Sequence, residues 1–397
     1  MRRLLLVTYR PIQEAGGPAA RWRSFARYLP ENGWEIDVVS HSGRAQREFA
    51  TAPGDISRAM RRRRVMARLG RVAEPLFARM GLRPEAVPPS MAWIPRGSLE
   101  IRRRLRTGSY SAIVATGPAM SALLAARLAS RGDETPLVVE LRDLWAENPS
   151  FDHGSRILGD AERWVLSGAT AVIAATPEAA ADLQRRHPGL ADRIVEIPNG
   201  FEPELLDRRR EGSGNQPLTI LHSGTLTPDR PVSPLLQALA LDPNRSAFRL
   251  VLHGYVDPAI RAEVDQAAAN VEVLGPSSWE DAVRAIADAD VGLISQSRSA
   301  GDETAVAAKV YEYLALGKPV LCLSDGGATE GLLRRLGADE FCARLGDRSS
   351  IAAALDRLRS GPLPAPLPPA LLVDFDRSVL AGRMAAILDR AADGTAS

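Results

Sequence analysis

Short apolar runs recur along this chain with helical patterns between them, and the rhythm occurs twice. Leu4–Thr8, Ile36–Ser40, Ser111–Ala115, Leu137–Leu141, Ala171–Ala174 and Ile194–Ile197 read as strands in the first half. Apolar residues at helical spacing cover Ala19–Leu29, Ala119–Ser130 and Pro177–Arg186 between them. The strand pattern restarts at Leu218–His222 and continues at Leu250–Leu252, Val271–Leu274, Val291–Ile294 and Val320–Leu323. Leu235–Leu241, Ala259–Ala269, Trp279–Ala287 and Val306–Leu316 are the helices expected between these strands. Repeated alternation of this kind argues for parallel sheets with helices on both faces. A chain of 397 residues has enough length for two such cores. The expected fold is therefore α/β, with two doubly wound Rossmann-like domains joined by a polar hinge and a last helix from about Arg377 to Ala391.

Three segments interrupt the rhythm and set the domain boundaries. Asp207–Pro217 is polar and glycine-containing, which makes it the linker between a first domain over 1–206 and a second over 218–372. A proline-rich bridge, Gly361–Pro369, leads to the crossover helix and tail in 373–397. The third is a basic insertion at about 44–90. From Arg58 to Arg106 there are fourteen arginines and three glutamates, a local charge of +11 in a chain whose total is +2. Val65, Met66, Leu69, Val72, Leu76, Phe77 and Met80 recur at helical spacing beside these arginines. The segment reads either as an arginine-coated helix packed on its own domain or as a basic amphipathic element that meets anionic lipid headgroups or an anionic acceptor.

Composition narrows the class. Cys322 and Cys342 are the only cysteines, too few for a disulfide framework or a metal cage, so a reduced, cytoplasmic protein is expected. The opening Met1–Thr8 is too short and lacks a small-residue cleavage site for a secretory signal, and it reads as a buried strand. No run reaches the apolar length of a membrane-spanning helix. Membrane contact, if made, would be peripheral, at the inner face through the basic insertion. The five histidines form no spaced metal cluster. Asp288-Ala-Asp290 and Asp374-Phe-Asp376 mimic a metal-binding pair, but in a context that suits a solvated helix or loop.

In open parallel sheets ligands bind beyond the carboxyl ends of the strands, and three places there can carry chemistry. Gly16-Gly17 follows the first strand and precedes a helix; glycine allows close backbone approach, and a helix start supplies amide donors for a diphosphate. A bland loop is the alternative. Ser223-Gly224-Thr225 and Arg230 follow the strand that opens the second half; small residues with exposed amides and one arginine can hold paired phosphates, or form an ordinary turn. The third is Lys309-Val-Tyr-Glu-Tyr-Leu-Ala-Leu-Gly-Lys318. It holds both lysines of a chain with fifty basic residues. Lys309 and Glu312 share a helix face. A cation near a helix start favours a bound anion, and a glutamate accepts two hydrogen bonds from the vicinal hydroxyls of a ribose. An internal Lys309–Glu312 ion pair is the alternative. Gly317 reads as a helix C-cap, and Lys318 as a capping or surface residue.

The Lys309–Val320 segment resembles the donor-binding motif of retaining GT-B glycosyltransferases of family 4. Glu140-Leu-Arg-Asp-Leu-Trp145 looks like a first-domain loop of the group that builds bacterial surface polysaccharides. Ile197-Pro-Asn-Gly-Phe201 and Ser223-Gly-Thr-Leu226 resemble, in order, the segment before the hinge and the loop opening the donor domain. The resemblance implies a nucleotide-diphosphate sugar as co-substrate, no further cofactor, no required metal and no nucleic acid. It implies transfer to the hydroxyl of a saccharide, lipid-linked or small-molecule acceptor with retained anomeric configuration. Carried over by position, Glu312 binds the ribose, Lys309 lies near the diphosphate or sugar, and Val310 accompanies them. Gly16 and Gly17 approach the diphosphate, and Arg230 matches the family's phosphate-binding lysine. The family's first motif glutamate falls at Thr304, with Glu303 and Asp302 adjacent, and its phosphate-binding arginine falls at Thr225. Asp143, beside Arg142, is the candidate for positioning the acceptor; a structural pair with Arg142 is the alternative. Transfer is expected on the front face, with Lys309 among the groups stabilising the leaving diphosphate. A sugar-nucleotide isomerase of the 2-epimerase type, or a non-catalytic sugar-nucleotide or polysaccharide-binding protein, would use the same fold.

Overall fold

The computed structural model describes residues 1–13, 17–41, 89–117, 119–146, 156–210, 212, 214, 217–228, 230–267, 269–296 and 303–394. The basic insertion read from the sequence therefore lies almost wholly outside the described residues, as do Gly16 and Asp302. The chain forms two compact units, Met1–Pro198 with Leu380–Ser397, and Asn199–Val379.

The first unit is a six-stranded parallel sheet of β1 (Arg2–Val7), β2 (Trp34–Val39), β3 (Ala112–Thr116), β4 (Leu137–Leu141), β5 (Ala171–Ala174) and β6 (Ile194–Glu196), in the order β2-β1-β3-β4-β5-β6. Its helices are α1 (Gly17–Tyr28), α2 (Ile94–Thr107), α3 (Met120–Ala129), α4 (Arg156–Ser167) and α5 (Pro177–Arg186). Successive side chains of a strand point to opposite faces. Leu4 and Leu6 thus join Trp22 and Phe25 of α1 and Leu29 just after it, while Leu5 and Val7 pack with Ile101, Met120, Leu123 and Leu183 on the other side. Both faces are covered, which is why the central strands β3, β4 and β5 are apolar apart from Thr116 and Glu140.

The second unit repeats the plan with β7 (Leu218–Ser223), α6 (Ser233–Leu241), β8 (Phe248–His253), α7 (Pro258–Gln266), β9 (Val271–Leu274), α8 (Trp279–Asp288), β10 (Val291–Ser295), α9 (Lys309–Ala315), β11 (Val320–Ser324), α10 (Ala328–Arg335), β12 (Cys342–Arg344) and α11 (Arg348–Ser360). The order β12-β11-β10-β7-β8-β9 is the dinucleotide-binding order, with its reversal between β7 and β10. In the first unit the reversal lies between β1 and β3.

The final helix, α12 (Arg377–Ala392), belongs to the first unit from Leu380 onward. There Leu380, Met384 and Leu388 join the cluster around Leu4 and Trp22. Arg2 donates to Asp389 at 2.8 Å, and Arg383 to the Glu196 carbonyl at 2.9 Å. Among the described residues no helix is long and apolar enough to cross a membrane. Cys322 and Cys342 are free thiols and register partners on β11 and β12.

Two sequence expectations are corrected here. Lys318 is buried at 2% exposure rather than lying on the surface. Its ammonium finds no hydrogen-bond partner among the described residues, and burial pushes its pKa down to about 8 against the pull of Asp290 and Asp288. Asp290 is likewise buried and not solvated; it accepts from the Thr219 amide at 2.8 Å and ties the start of β7 to β10.

Where β7 and β10 part, Tyr313 of α9 fills the fork, fully buried. Gly292 makes room for it: a Cβ there would lie 2.4 Å from the Tyr313 ring. Gly292→Ala is expected to destabilise the fold by about 1–3 kcal/mol through overpacking, read as a lower urea midpoint with an unchanged slope.

Candidate functional site

In the second unit the chemistry gathers at the carboxyl ends of β7, β8 and β10. Beyond the last register pair of β7 and β10, Gly292 with Leu221, the strands need other partners for their backbone groups. Tyr313 supplies them. Its hydroxyl accepts from the Ser223 amide at 2.9 Å, and its single proton lies near the Leu221 and Leu293 carbonyls, at 3.3 and 3.4 Å. One side chain of α9 thereby fixes that helix, with Lys309 and Glu312, against the strand that ends in Ser223-Gly224-Thr225.

Lys309 and Glu312 form an ion pair at 2.5 Å, their side chains 28% and 13% exposed. The glutamate thus offsets the ammonium at the helix start, and both remain reachable from solvent. Val310 is fully buried, and its amide donates to the Ala307 carbonyl at 3.0 Å. Gly317, at φ +78°, follows the helix, and the Lys318 amide returns to the Tyr313 carbonyl at 2.9 Å, the pattern of a glycine-terminated helix. Ser223 is buried, Thr225 and Arg230 are exposed, and Glu303 is exposed beside half-buried Thr304. Gly224 and Gly254 meet backbone to backbone: a Cβ on Gly254 would fall 2.1 Å from the Gly224 carbonyl oxygen. Their φ values of 141° and 130° suit glycine alone.

Two histidines that sequence reasoning set aside lie at this edge. His222 and His253 are both buried. Burial, opposed by the Leu293 carbonyl and reinforced by Arg230 and Lys309, lowers the pKa of His222 to about 4. Burial and Lys309 also lower His253, against Asp281. Their position at the carboxyl ends of two adjacent strands was the available signal. Among the described residues no group of three or more His, Cys, Asp or Glu side chains is arranged to hold a metal.

In the first unit, Gly17 opens α1 on the chain after β1, Gly117 follows β3, and Arg142 and Asp143 follow β4. Arg142 donates to the Gly117 carbonyl at 2.7 Å, and the Asp143 charge acts on it. Tyr9 contacts His41 and Trp93, with ring centroids 4.9 and 6.1 Å apart. The two ends of the described chain that flank the basic insertion thus meet at this carboxyl edge. Beneath it lies a network that the sequence did not disclose. Glu140, 1% exposed, accepts from Arg21 at 2.8 Å, Trp22 at 2.7 Å and Thr116 at 2.5 Å. Arg21 also donates to the Ile197 carbonyl at 2.9 Å and to that of Pro198. Glu162 accepts from the Ala146 amide and the His187 ring, at 2.9 and 2.8 Å, and from Arg186. Through Ala146 it pins the backbone three residues beyond Asp143.

Two family models match. Residues 16–200 match the glycosyl transferase 4-like domain, and residues 217–360 match glycosyl transferases group 1. Together they span most of the chain and place it among the GT-B glycosyltransferases, whose two-domain α/β layout it has. No curated protein matches the sequence. Among solved structures, Anabaena HepE in complex with UDP-glucose is similar at 17% identity, covering 98% of this chain and 100% of that one, with TM-score 0.65. A Rickettsia africae glycosyltransferase is similar at 14% identity over 98% of each chain, TM-score 0.67. The α,α-trehalose 6-phosphate synthase of Burkholderia multivorans is similar at 14% identity over 100% of each chain, TM-score 0.67. At these identities the likeness is one of fold.

Burial works to raise the Glu140 pKa, but Arg21 and Arg142, with the Thr116 and Trp22 hydrogen bonds, hold it below the usual carboxylate range. The same balance, set by His187, Arg186 and the Ala146 amide, lowers Glu162. A lowered carboxylate stabilises the fold above its unfolded pKa, and that stability is lost as pH falls through the folded value. Chemical denaturation is therefore expected to show stability declining below about pH 4.5. Glu140→Gln should destabilise by about 3–5 kcal/mol at neutral pH, because it leaves Arg21 buried without its counter-charge, and should flatten the acid limb of the curve.

Proposed function

We propose that this chain is a retaining family 4 hexosyltransferase of the surface-polysaccharide type, which moves a sugar from a nucleotide-diphosphate sugar to an acceptor hydroxyl. The second unit binds the donor. The observation that carries this reading is the convergence at the β7–β10 reversal of Ser223-Gly224-Thr225 with the Lys309–Glu312 pair, joined through Tyr313. On this reading Glu312 accepts from the ribose hydroxyls, while Lys309 and Arg230 take the diphosphate, their charges suited to the one that grows on the leaving group. Val310 is proposed only as part of the wall beneath them, since its amide is already bonded. UDP-glucose bound to the similar Anabaena protein supports the donor class.

The first unit binds the acceptor. Arg142 and Asp143 stand on the loop held between Gly117 and Glu162, and Asp143 orients the acceptor hydroxyl. Gly16 and Gly17 approach the diphosphate from this unit. In the transfer the bond from the anomeric carbon to the diphosphate oxygen breaks. The acceptor oxygen bonds the same face of that carbon, and its proton passes to the departing diphosphate. No protein nucleophile and no metal is required. The proposed setting is the cytoplasm, at the inner membrane face where the acceptor is lipid-linked.

A thermal-shift screen over nucleoside diphosphates and their sugars tests donor binding, since a ligand that binds only the folded state raises the melting temperature. One nucleotide series should stabilise strongly. Lys309→Ala should weaken it roughly tenfold to hundredfold, the worth of a charge-assisted hydrogen bond. Asp143→Asn should lower turnover while leaving donor affinity unchanged. Conversion of the donor without any acceptor would identify an isomerase instead, and binding with neither hydrolysis nor transfer a non-catalytic binder.

A further inference from the structure

We propose that His222 is a further donor-binding residue, one that takes up a proton as a sugar-nucleotide diphosphate enters the second unit and then donates from Nε2 to a phosphate oxygen. The inference rests on the donor-site reading above and deepens it. Nδ1 of His222 lies 3.3 Å from the Leu293 carbonyl oxygen. A carbonyl only accepts, so Nδ1 carries the proton and Nε2 presents a lone pair. That Nε2 is buried and finds no hydrogen-bond partner among the described residues, although the whole side chain is only 5% exposed. It lies under Gly224. A Cβ added to Gly224 would come 3.8 Å from Nε2 and would meet no other non-neighbouring atom within 4 Å. Gly224, which puts no side chain over the nitrogen, belongs to the turn where the diphosphate is proposed to sit.

The surrounding charges explain why a proton is absent before the donor arrives. From α9, Lys309 faces His222, itself paired with Glu312, and Tyr313 holds the strand fork as a neutral phenol. Arg230 faces it from the loop after β7, while His253, at the end of β8, is bonded to Ser277 at 2.8 Å. Burial together with the two cations keeps the imidazole neutral, with a pKa of about 4. A sugar-nucleotide diphosphate brings two negative charges to Arg230 and Lys309. Their repulsion of an imidazolium is then cancelled, and the protonated form gains an anionic partner. One proton from solvent binds the Nε2 lone pair, and the resulting N–H donates to a non-bridging oxygen. No other bond changes.

Calorimetric titration with UDP-glucose, GDP-mannose and ADP-glucose, in buffers of different ionisation enthalpy, reads this proton directly. Sugar nucleotides are used because the terminal phosphate of a free nucleotide titrates in the same range. Binding at about pH 5.5 should take up close to one proton, and affinity should rise by up to about tenfold for each unit fall in pH between the bound and free pKa values. His222→Gln places an amide N–H near the Nε2 position without a titrating group. It should bind the donor with no proton uptake and an affinity flat over this range. Uptake that persists in His222→Gln, or binding to the unaltered protein without uptake, overturns the role of His222 and leaves the donor site standing. Failure of all three sugar nucleotides to bind overturns both. Should the variant not fold, the chain's five histidines allow the His222 ring nitrogens to be followed by NMR in the unaltered protein. Nε2 must then move to the protonated position when donor is added; a nitrogen that stays put refutes the proposal.

Discussion

The phenol of Tyr313 at the β7–β10 fork is the contact on which the second unit's site depends. A parallel sheet whose strand order reverses must let two neighbouring strands diverge, and divergence strands their backbone groups in the interior. Tyr313 meets that need with one oxygen, bonded to Ser223 and near the Leu221 and Leu293 carbonyls. The same contact fixes α9. Lys309 and Glu312 are therefore held at the strand ends by a buried hydrogen bond, not by a flexible loop. Gly292, which makes room for the ring, belongs to this arrangement although it touches no ligand-facing surface.

The first unit solves a related problem with charge. Its carboxyl edge carries loops after β1, β3 and β4, and two buried carboxylates anchor them from below. Glu140 draws Arg21 of α1, Trp22 and Thr116 together, while Glu162 holds the backbone beyond Asp143. Buried ion pairs of this kind add little net stability, because desolvation offsets the attraction. Their contribution is to set positions: α1 lies where Arg21 reaches both Glu140 and the carbonyls after β6. The described part of the loop bearing the candidate acceptor residues is thus held at two points, through Arg142 to Gly117 and through Glu162 to Ala146.

Much of this was legible in the chain. Leu137–Leu141, Ala171–Ala174 and Val271–Leu274 are strands with the limits their apolar runs suggested, and Pro177–Arg186 is the helix its apolar spacing suggested. Elements with weak patterns were not. β12 is a three-residue edge strand, and α2 is so rich in arginine that its Ile94, Ser98 and Ile101 stripe is easily missed. Lys318 reads as a surface residue because lysine nearly always is one, yet its place in the turn between α9 and β11 buries it. The histidines eluded a reading by spacing because His222 and His253 reach the same sheet edge from two paired strands, thirty-one positions apart in the chain.

The order of apolar and polar residues alone determined that there would be two helix-covered parallel sheets and in which stretches most of their strands would lie, because burial on both faces leaves a periodic record in composition. It also exposed the Lys309–Glu312 pair, since residues three apart on a helix must share a face. What only the tertiary structure decided was which strand ends lie side by side, which carboxylates sit on arginines and which ring nitrogen is left without a partner. Those outcomes depend on strand order and on the local electrostatics of buried groups, which arise from contacts between residues far apart in the chain and leave no period in the sequence.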